Sequence, residues 1–239
     1  MHIDYKLTLV EHLDELRKRV ILCLVTLGLC MALSLPFASS VLKILKLPAS
    51  GLIGKLAFFG PQEAFTIYMN IGFFCGLVIS MPLLLYQLWA FVVPALEDRF
   101  KKRIGLFIVF CFISFIAGCL FAFFLLIPPA LEFLLNFGKD DLEPIISAQT
   151  YISFVITLTV ACGFIFQMPV VSLILTKIGI LHHRILRDKY KYAVAIIFVI
   201  AAIITPTTDA FNMLMLSVPM ICLYELSIWV SFFARYKSP

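Results

Sequence analysis

Long uncharged runs alternate with short charged clusters along this chain. Val20 to Leu42 holds 23 residues without Asp, Glu, Lys or Arg, Ala64 to Leu96 holds 33, Ile104 to Leu131 holds 28, Pro144 to Thr176 holds 33 and Tyr192 to Thr208 holds 17. After Asp209 a sixth apolar run reaches Ala234, interrupted by Glu225. A bilayer core about 30 Å thick is crossed by roughly 20 apolar helical residues. The pattern predicts one membrane domain of six helices, at about 20–38, 66–92, 104–128, 150–176, 192–206 and 211–232, with an amphipathic segment at 1–19. The last two form a hairpin turned at Thr205-Pro206-Thr207-Thr208-Asp209. Helices 5 and 6 are expected to be short, because 17 residues rising about 1.5 Å each reach only about 25 Å. Either a local thinning of the bilayer or a shift of Asp209 toward the interface would accommodate them.

The positions of Lys and Arg set the orientation. Lys6, Arg17, Lys18 and Arg19 precede helix 1, and Arg99, Lys101, Lys102 and Arg103 follow helix 2. Lys177, Arg184, Arg187, Lys189 and Lys191 follow helix 4, and Arg235 and Lys237 lie in the tail. Those fifteen share one side if there are six spans, against four (Lys43, Lys46, Lys55 and Lys139) on the other. Basic residues collect on the cytoplasmic side, so both termini are expected there. The N-terminus shows no cleavable signal pattern, and the absence of a transit peptide favours a bacterial source.

Composition agrees with the pattern. The chain is 62% apolar and 14% charged, with 24 Phe and a mean hydropathy of +1.05. A soluble domain runs nearer half apolar and a quarter charged. A soluble enzyme, a disordered chain and a disulfide-stapled secreted domain are excluded. The net charge of +5 reads as a topology signal on a face near anionic lipid, not as a nucleic-acid patch. All seven Cys fall inside predicted spans with no CxxC or Cys/His cluster, and read as small packing residues. Gly72 with Gly76, and Ser114 with Gly118, are small-xxx-small pairs that let helices approach closely, here read as contacts within the chain. Pro82, Pro169 and Pro219 should kink their spans.

Chemistry at mid-membrane is sparse. The middles of helices 1 to 5 carry no Asp, Glu, Lys, Arg or His, and Gln167 is the main polar exception. Glu225 lies 16 residues past Asp209, about 24 Å along a helix, near the cytoplasmic boundary. A proton-coupled carrier would place ionisable groups at the midplane, so that class is disfavoured. No nucleophile–base pair, metal motif or phosphate loop appears, and no enzyme is expected. The densest candidate is Thr8 to Arg19. Thr8 and Glu11 form a capping box, and Leu9, Leu13, Leu16 and Val20 make an apolar stripe. An interfacial amphipathic helix accounts for that spacing but does not call for acids at Glu11, Asp14 and Glu15. Val41 to Leu47, with Lys43 and Lys46, reads as a second interfacial helix on the outer side.

Ordered motifs then carry a resemblance. His12-Leu13-Asp14-Glu15-Leu16-Arg17-Lys18-Arg19 is similar to an HLxELRxR motif, and Pro61-Gln62-Glu63-Ala64-Phe65 to PxExF. Ser80-Met81-Pro82 and Tyr86-Gln87-Leu88-Trp89-Ala90-Phe91-Val92-Val93-Pro94-Ala95-Leu96 resemble SxP and YQxWxFxxPAL. Tyr151-Ile152-Ser153-Phe154, Phe166-Gln167-Met168-Pro169, Thr205-Pro206 with Asp209, and Tyr224-Glu225 match later blocks in order. Together these resemble the TatC family of the twin-arginine translocase over nearly the whole chain. The expected fold is all-α integral membrane: six transmembrane helices, both termini cytoplasmic, the kinked helices packed as a concave bundle.

The resemblance implies a receptor for signal peptides bearing paired arginines. It sits in a multi-pass position in the bacterial cytoplasmic (inner) membrane, within a translocase that moves folded proteins by the proton-motive force. Implied partners are the single-span TatA- and TatB-type subunits, the signal peptides of folded precursors, the lipid bilayer and further copies in the active complex, with no cofactor and no nucleic acid. The implied signal-peptide residues are Glu15, Leu16, Arg17, Arg19, Phe91, Pro94, Glu97 and Asp98. Gln167, Met168, Pro169, Asp209, Tyr224 and Glu225 are assigned to intramembrane polar or partner contacts, and Pro61, Glu63 and Phe65 to outer-loop structure. Chemistry supports Glu15 on its own terms, because adjacent guanidiniums are best read by carboxylates that accept bidentate, charge-assisted hydrogen bonds. The family's second signal-reading Glu, in PALxxxE, falls here at Phe100, leaving Glu97 and Asp98 as substitutes. Many members carry Glu where Gln167 stands, and an amide cannot ionise. The alternatives are a six-helix secondary transporter of a small solute, then a structural membrane scaffold.

Overall fold

The computed structural model describes residues 9–50, 56–92, 104–136, 145–177, 179, 181–205 and 209–234, and every regular element among them is helical. Helix α1 runs unbroken from Leu9 to Ser34, so the N-terminal acidic segment and the first apolar run form one rod. Nothing in Leu9 to Thr26 is Pro or Gly, so nothing stops the helix at the charged-to-apolar transition. A tight turn at Leu35–Phe37 leads to α2, Ala38–Leu45. Ala38 and Leu45, seven residues apart, are its buried face, while Lys43 and Ile44 face outward.

Helix α3, Glu63–Val92, carries Pro82 within it. Helix α4, Ile104–Phe121, widens into a π turn at Ala122–Leu126 and continues as α5, Ile127–Asn136. The adjacent Pro128 and Pro129 remove two consecutive backbone donors, and the looser turn sits where those bonds are missing. The chain thus remains helical past the predicted boundary near 128.

The fourth apolar run is broken, not merely bent. Helix α6, Ala148–Ile165, ends in a turn at Phe166-Gln167, and α7 spans Met168–Lys177. Pro169 cannot donate to Ile165, so the α ladder stops there. After the short α8, His183–Asp188, come α9, Tyr190–Ile204, and α10, Ala210–Phe233. The expectation that both helices of this hairpin are short holds for α9, at 15 residues, and fails for α10, at 24. Asp209 caps α10, its carboxylate accepting from the Asn212 N–H at 2.7 Å, and the helix passes Pro219 and Glu225 without interruption. At about 1.5 Å per residue it reaches about 36 Å.

Among the described residues, five helical stretches are long and apolar enough to cross a membrane: Leu13–Ala49, Glu63–Phe91, Gly105–Asn136, Ala148–Lys177 and Ala210–Phe233; Tyr190–Ile204 is apolar and shorter. Large apolar side chains such as Leu29, Leu33, Leu106, Phe124, Ile203 and Phe233 are exposed along them. Apolar exposure on this scale is the surface of a protein dissolved in lipid.

The helices pack as two units, one taking the chain up to Pro36 and Gly72–Phe112, the other Phe37–Ile71 and Ile113–Pro239. In the first, Gly72 and Gly76 face α1: a Cβ on Gly76 would meet the Met31 backbone at 2.8 Å. The Ser34 hydroxyl donates to the Gly72 carbonyl at 2.9 Å across that seam. Trp89 is buried edge-on to Phe107 with ring centroids 5.1 Å apart. In the second unit, a Cβ on Gly118 would lie 2.5 Å from the Cys162 carbonyl oxygen. Ser172 and Thr176 of α7 donate to the Ser227 carbonyl and the Ser231 hydroxyl of α10, at 3.1 and 2.8 Å.

Candidate functional site

Helical geometry puts Glu15 and Arg19 on one face of α1, four residues apart. Both Nε and Nη2 of Arg19 donate to Oε1 of Glu15, the Nε contact at 3.1 Å. The third guanidinium nitrogen, Nη1, turns to α3 and meets the Gln87 side-chain oxygen at 3.3 Å and its carbonyl at 3.5 Å. The pair is part-exposed, 22% for Arg19 and 30% for Glu15. A half-buried carboxylate is thereby linked through Arg19 to a second helix while solvent still reaches it.

The neighbouring residues define an open surface. Leu13, Leu16 and Val20, three of the four stripe residues, are exposed, with Leu13 at 64%. Among the described residues, Leu13, Leu16 and Val20 are therefore left open along α1. Asp14, Arg17 and Lys18 are also exposed. Phe91 is half-buried, one turn beyond Gln87 on α3. Gln87, which ties Arg19 to α3, belongs to the YQxWxFxxPAL-like block but was not expected as a site residue; a polar side chain near the end of an apolar helix was its signal. Pro94, Glu97 and Asp98, with Phe100 and Thr8 of the expected Thr8–Glu11 capping pair, lie outside the described residues.

The remaining candidates do not converge on one point. Gln167 is half-buried at the break between α6 and α7, and its N–H donates to the Phe164 carbonyl at 3.0 Å. Met168 and Pro169 begin α7. One residue before Gln167, the Phe166 carbonyl, which the break removes from the α ladder, accepts the Ser114 hydroxyl at 2.7 Å. Asp209 serves as the α10 cap, and its second oxygen takes the Asn212 amide at 2.9 Å. The Tyr224 hydroxyl donates to the Leu186 carbonyl at 2.8 Å, joining α10 to α8, and Glu225 is half-buried beside it. Glu63, at the start of α3, accepts from the Ser147 hydroxyl at 3.2 Å. Ala57 exchanges backbone bonds with Ile146 and Ala148 nearby, while Pro61 and Phe65 are exposed. Among the described residues no group of three or more His, Cys, Asp or Glu could hold a metal ion.

Comparison with known proteins decides the family. The family model "Sec-independent protein translocase protein (TatC)" matches residues 11–219. The chain belongs to the TatC family. It is similar to the TatC protein of Carboxydothermus hydrogenoformans, 36% identical over 98% of this chain and 96% of that one. It is also similar to that of Aquifex aeolicus, 37% identical over 96% of each. A crystal structure described as the twin arginine translocase receptor TatC matches with a TM-score of 0.86 and 36% identity, covering 94% of this chain and 99% of the other. As a TatC-family protein the chain is a multi-pass membrane component of the twin-arginine (Tat) translocase, and a small-solute transporter finds no support. The HLxELRxR-like segment, from His12 on, and the YQxWxFxxPAL-like block both fall within the matched residues.

Proposed function

We propose that this TatC-family protein reads twin-arginine signal peptides at the N-terminal end of α1, with the Glu15 carboxylate as principal acceptor. The observation that carries this is the Glu15–Arg19–Gln87 arrangement: a part-exposed carboxylate tied through Arg19 to a second helix, beside an exposed apolar stripe. The carboxylate suits a guanidinium, and the stripe suits the apolar stretch that follows the arginines in a signal peptide. The same reading takes α9 as a sixth, short span, both termini and the Glu15 site on the cytoplasmic side, and Glu97 or Asp98 in place of the acid missing at Phe100. TatA- and TatB-type single-span subunits and further copies of the chain are the partners in the membrane, and the proton-motive force drives transport. Gln167 and the α6–α7 break are proposed as a neutral partner contact, since an amide there offers hydrogen bonds without a titrating charge.

Site-specific photocrosslinking tests the reading. A photoreactive residue at 16, beside Glu15, or in the Arg99 loop should crosslink to a signal peptide carrying Arg-Arg and far less to one carrying Lys-Lys. Equal crosslinking of both peptides, or of neither, would overturn it.

A further inference from the structure

The carboxylate best suited to an incoming guanidinium already holds one. Two nitrogens of Arg19 share Oε1 of Glu15, and among the described residues no donor is recorded on Oε2. The third nitrogen rests on the side-chain and backbone oxygens of Gln87, at 3.3 and 3.5 Å. We infer that Arg19 is the specificity-determining residue of the site, a resident guanidinium that the ligand's arginine must replace at Glu15 while Gln87 retains the displaced side chain. This rests on Glu15 being the receptor carboxylate.

Exchange chemistry supplies the discrimination. An arginine approaching Oε2, where no described residue donates, brings a planar fork and can take over both oxygens, returning every charge-assisted bond that Arg19 gives up. A lysine ammonium is a point donor without that fork and cannot match two parallel N–H donors on one carboxylate. Replacing Arg19 by arginine is therefore nearly even, whereas lysine leaves Arg19 in place and meets the carboxylate at Oε2 alone, against the charge of the resident guanidinium. An i,i+4 pair that is part-exposed is weak enough to be exchanged. The displaced guanidinium stays charged, and Gln87 offers it two acceptors already within reach. The arrangement also explains why a surface that reads cations carries Arg19: without it, Glu15 would take any cation.

Titration of the purified full-length protein with labelled Arg-Arg and Lys-Lys signal peptides tests the inference in wild type, Arg19→Gln, Gln87→Ala and the double variant. Wild type should prefer Arg-Arg by about tenfold. Arg19→Gln should tighten Lys-Lys binding without weakening Arg-Arg, reducing that preference at least about threefold. Gln87→Ala should weaken Arg-Arg binding alone, and the double variant should behave as Arg19→Gln, because Gln87 acts only through Arg19. A parallel loss of both peptides in Arg19→Gln, or a Gln87→Ala effect that persists in its absence, would overturn it. Arg19→Lys, which keeps the charge, should give an intermediate preference, so the inference stays testable if Arg19→Gln does not fold. A wild type that binds neither peptide, or both equally, would instead overturn the receptor reading.

Discussion

Two helix seams in this protein are closed by the same device and end differently. Where α1 meets α3, Gly72 and Gly76 remove side-chain bulk and the Ser34 hydroxyl bonds the Gly72 carbonyl. Where α4 meets α6, Gly118 and Gly163 do the same, and the Ser114 hydroxyl bonds the Phe166 carbonyl. In lipid no apolar driving force pulls helices together, so close packing and hydroxyl-to-backbone bonds have to do it. The α4–α6 seam ends in neutral bonds at a proline break. The α1–α3 seam ends in an ion pair, with one helix supplying both charges and the other only Gln87. Packing is common to the two seams; charge belongs to one, and with it the ligand selection proposed above.

Glycine substitutions give the largest expected effect. Cβ atoms at Gly76 and Gly118 would collide with backbone, at Met31 and Cys162, whereas one at Gly72 meets first the tip of the Leu35 side chain. A backbone cannot move aside without opening the seam, while a Leu rotamer can. Gly76→Ala and Gly118→Ala should each destabilise by about 3 kcal/mol, the upper end for overpacking, and Gly72→Ala by about 1 kcal/mol. Thermal melting of the detergent-purified variants measures this. Equal losses at all three positions would show that the seams tolerate bulk alike and that the contacts with Met31 and Cys162 are not what limits them.

The second effect separates the seams by function. Glu15→Ala should weaken binding of an Arg-Arg signal peptide by about tenfold or more, since a charge-assisted pair contributes upward of about 1.4 kcal/mol. Its melting temperature should stay close to wild type, because a part-exposed i,i+4 pair contributes only about 0.5 kcal/mol to folding. Gly118→Ala should do the reverse, losing stability while the folded fraction binds peptide normally. Peptide crosslinking to Glu15→Ala at the wild-type level would remove the functional distinction.

Much of this contrast was legible in the residues. Charge-free runs mark the apolar helices because charge in hydrocarbon is costly, and the two small-residue pairs marked both seams. Glu15 stood out because an acid was unneeded where bases suffice. What the sequence concealed lies in how neighbours share the backbone. Asp209 reads as a charge ending a span, yet it caps α10 and lengthens it. The third span, expected to end near 128, continues because a π turn absorbs Pro128 and Pro129. Ser114 was legible as a small residue, but not as the donor for a carbonyl released 52 positions away. Gln87 was invisible as a site residue because its role exists only once α3 lies beside Arg19.

The smallest effect probes the shared device itself. Ser34 and Ser114 both donate across a seam, but their acceptors differ. Gly72 lies inside the continuous ladder of α3, so its carbonyl keeps a helical partner if Ser34 is lost, and Ser34 also bonds Met31 on its own helix at 2.8 Å. Phe166 lies at the break before Pro169, where the Ser114 hydroxyl is its recorded donor. Ser114→Ala would strand a carbonyl in an apolar interior, at a cost of about 1 to 2 kcal/mol, whereas Ser34→Ala should cost about 0.5 kcal/mol. Restoring a donor with Ser114→Thr should recover most of the loss, since the hydroxyl is kept. If the two alanine variants melt together, the Phe166 carbonyl is satisfied without Ser114, and the two seams differ only in the charge at the end of one.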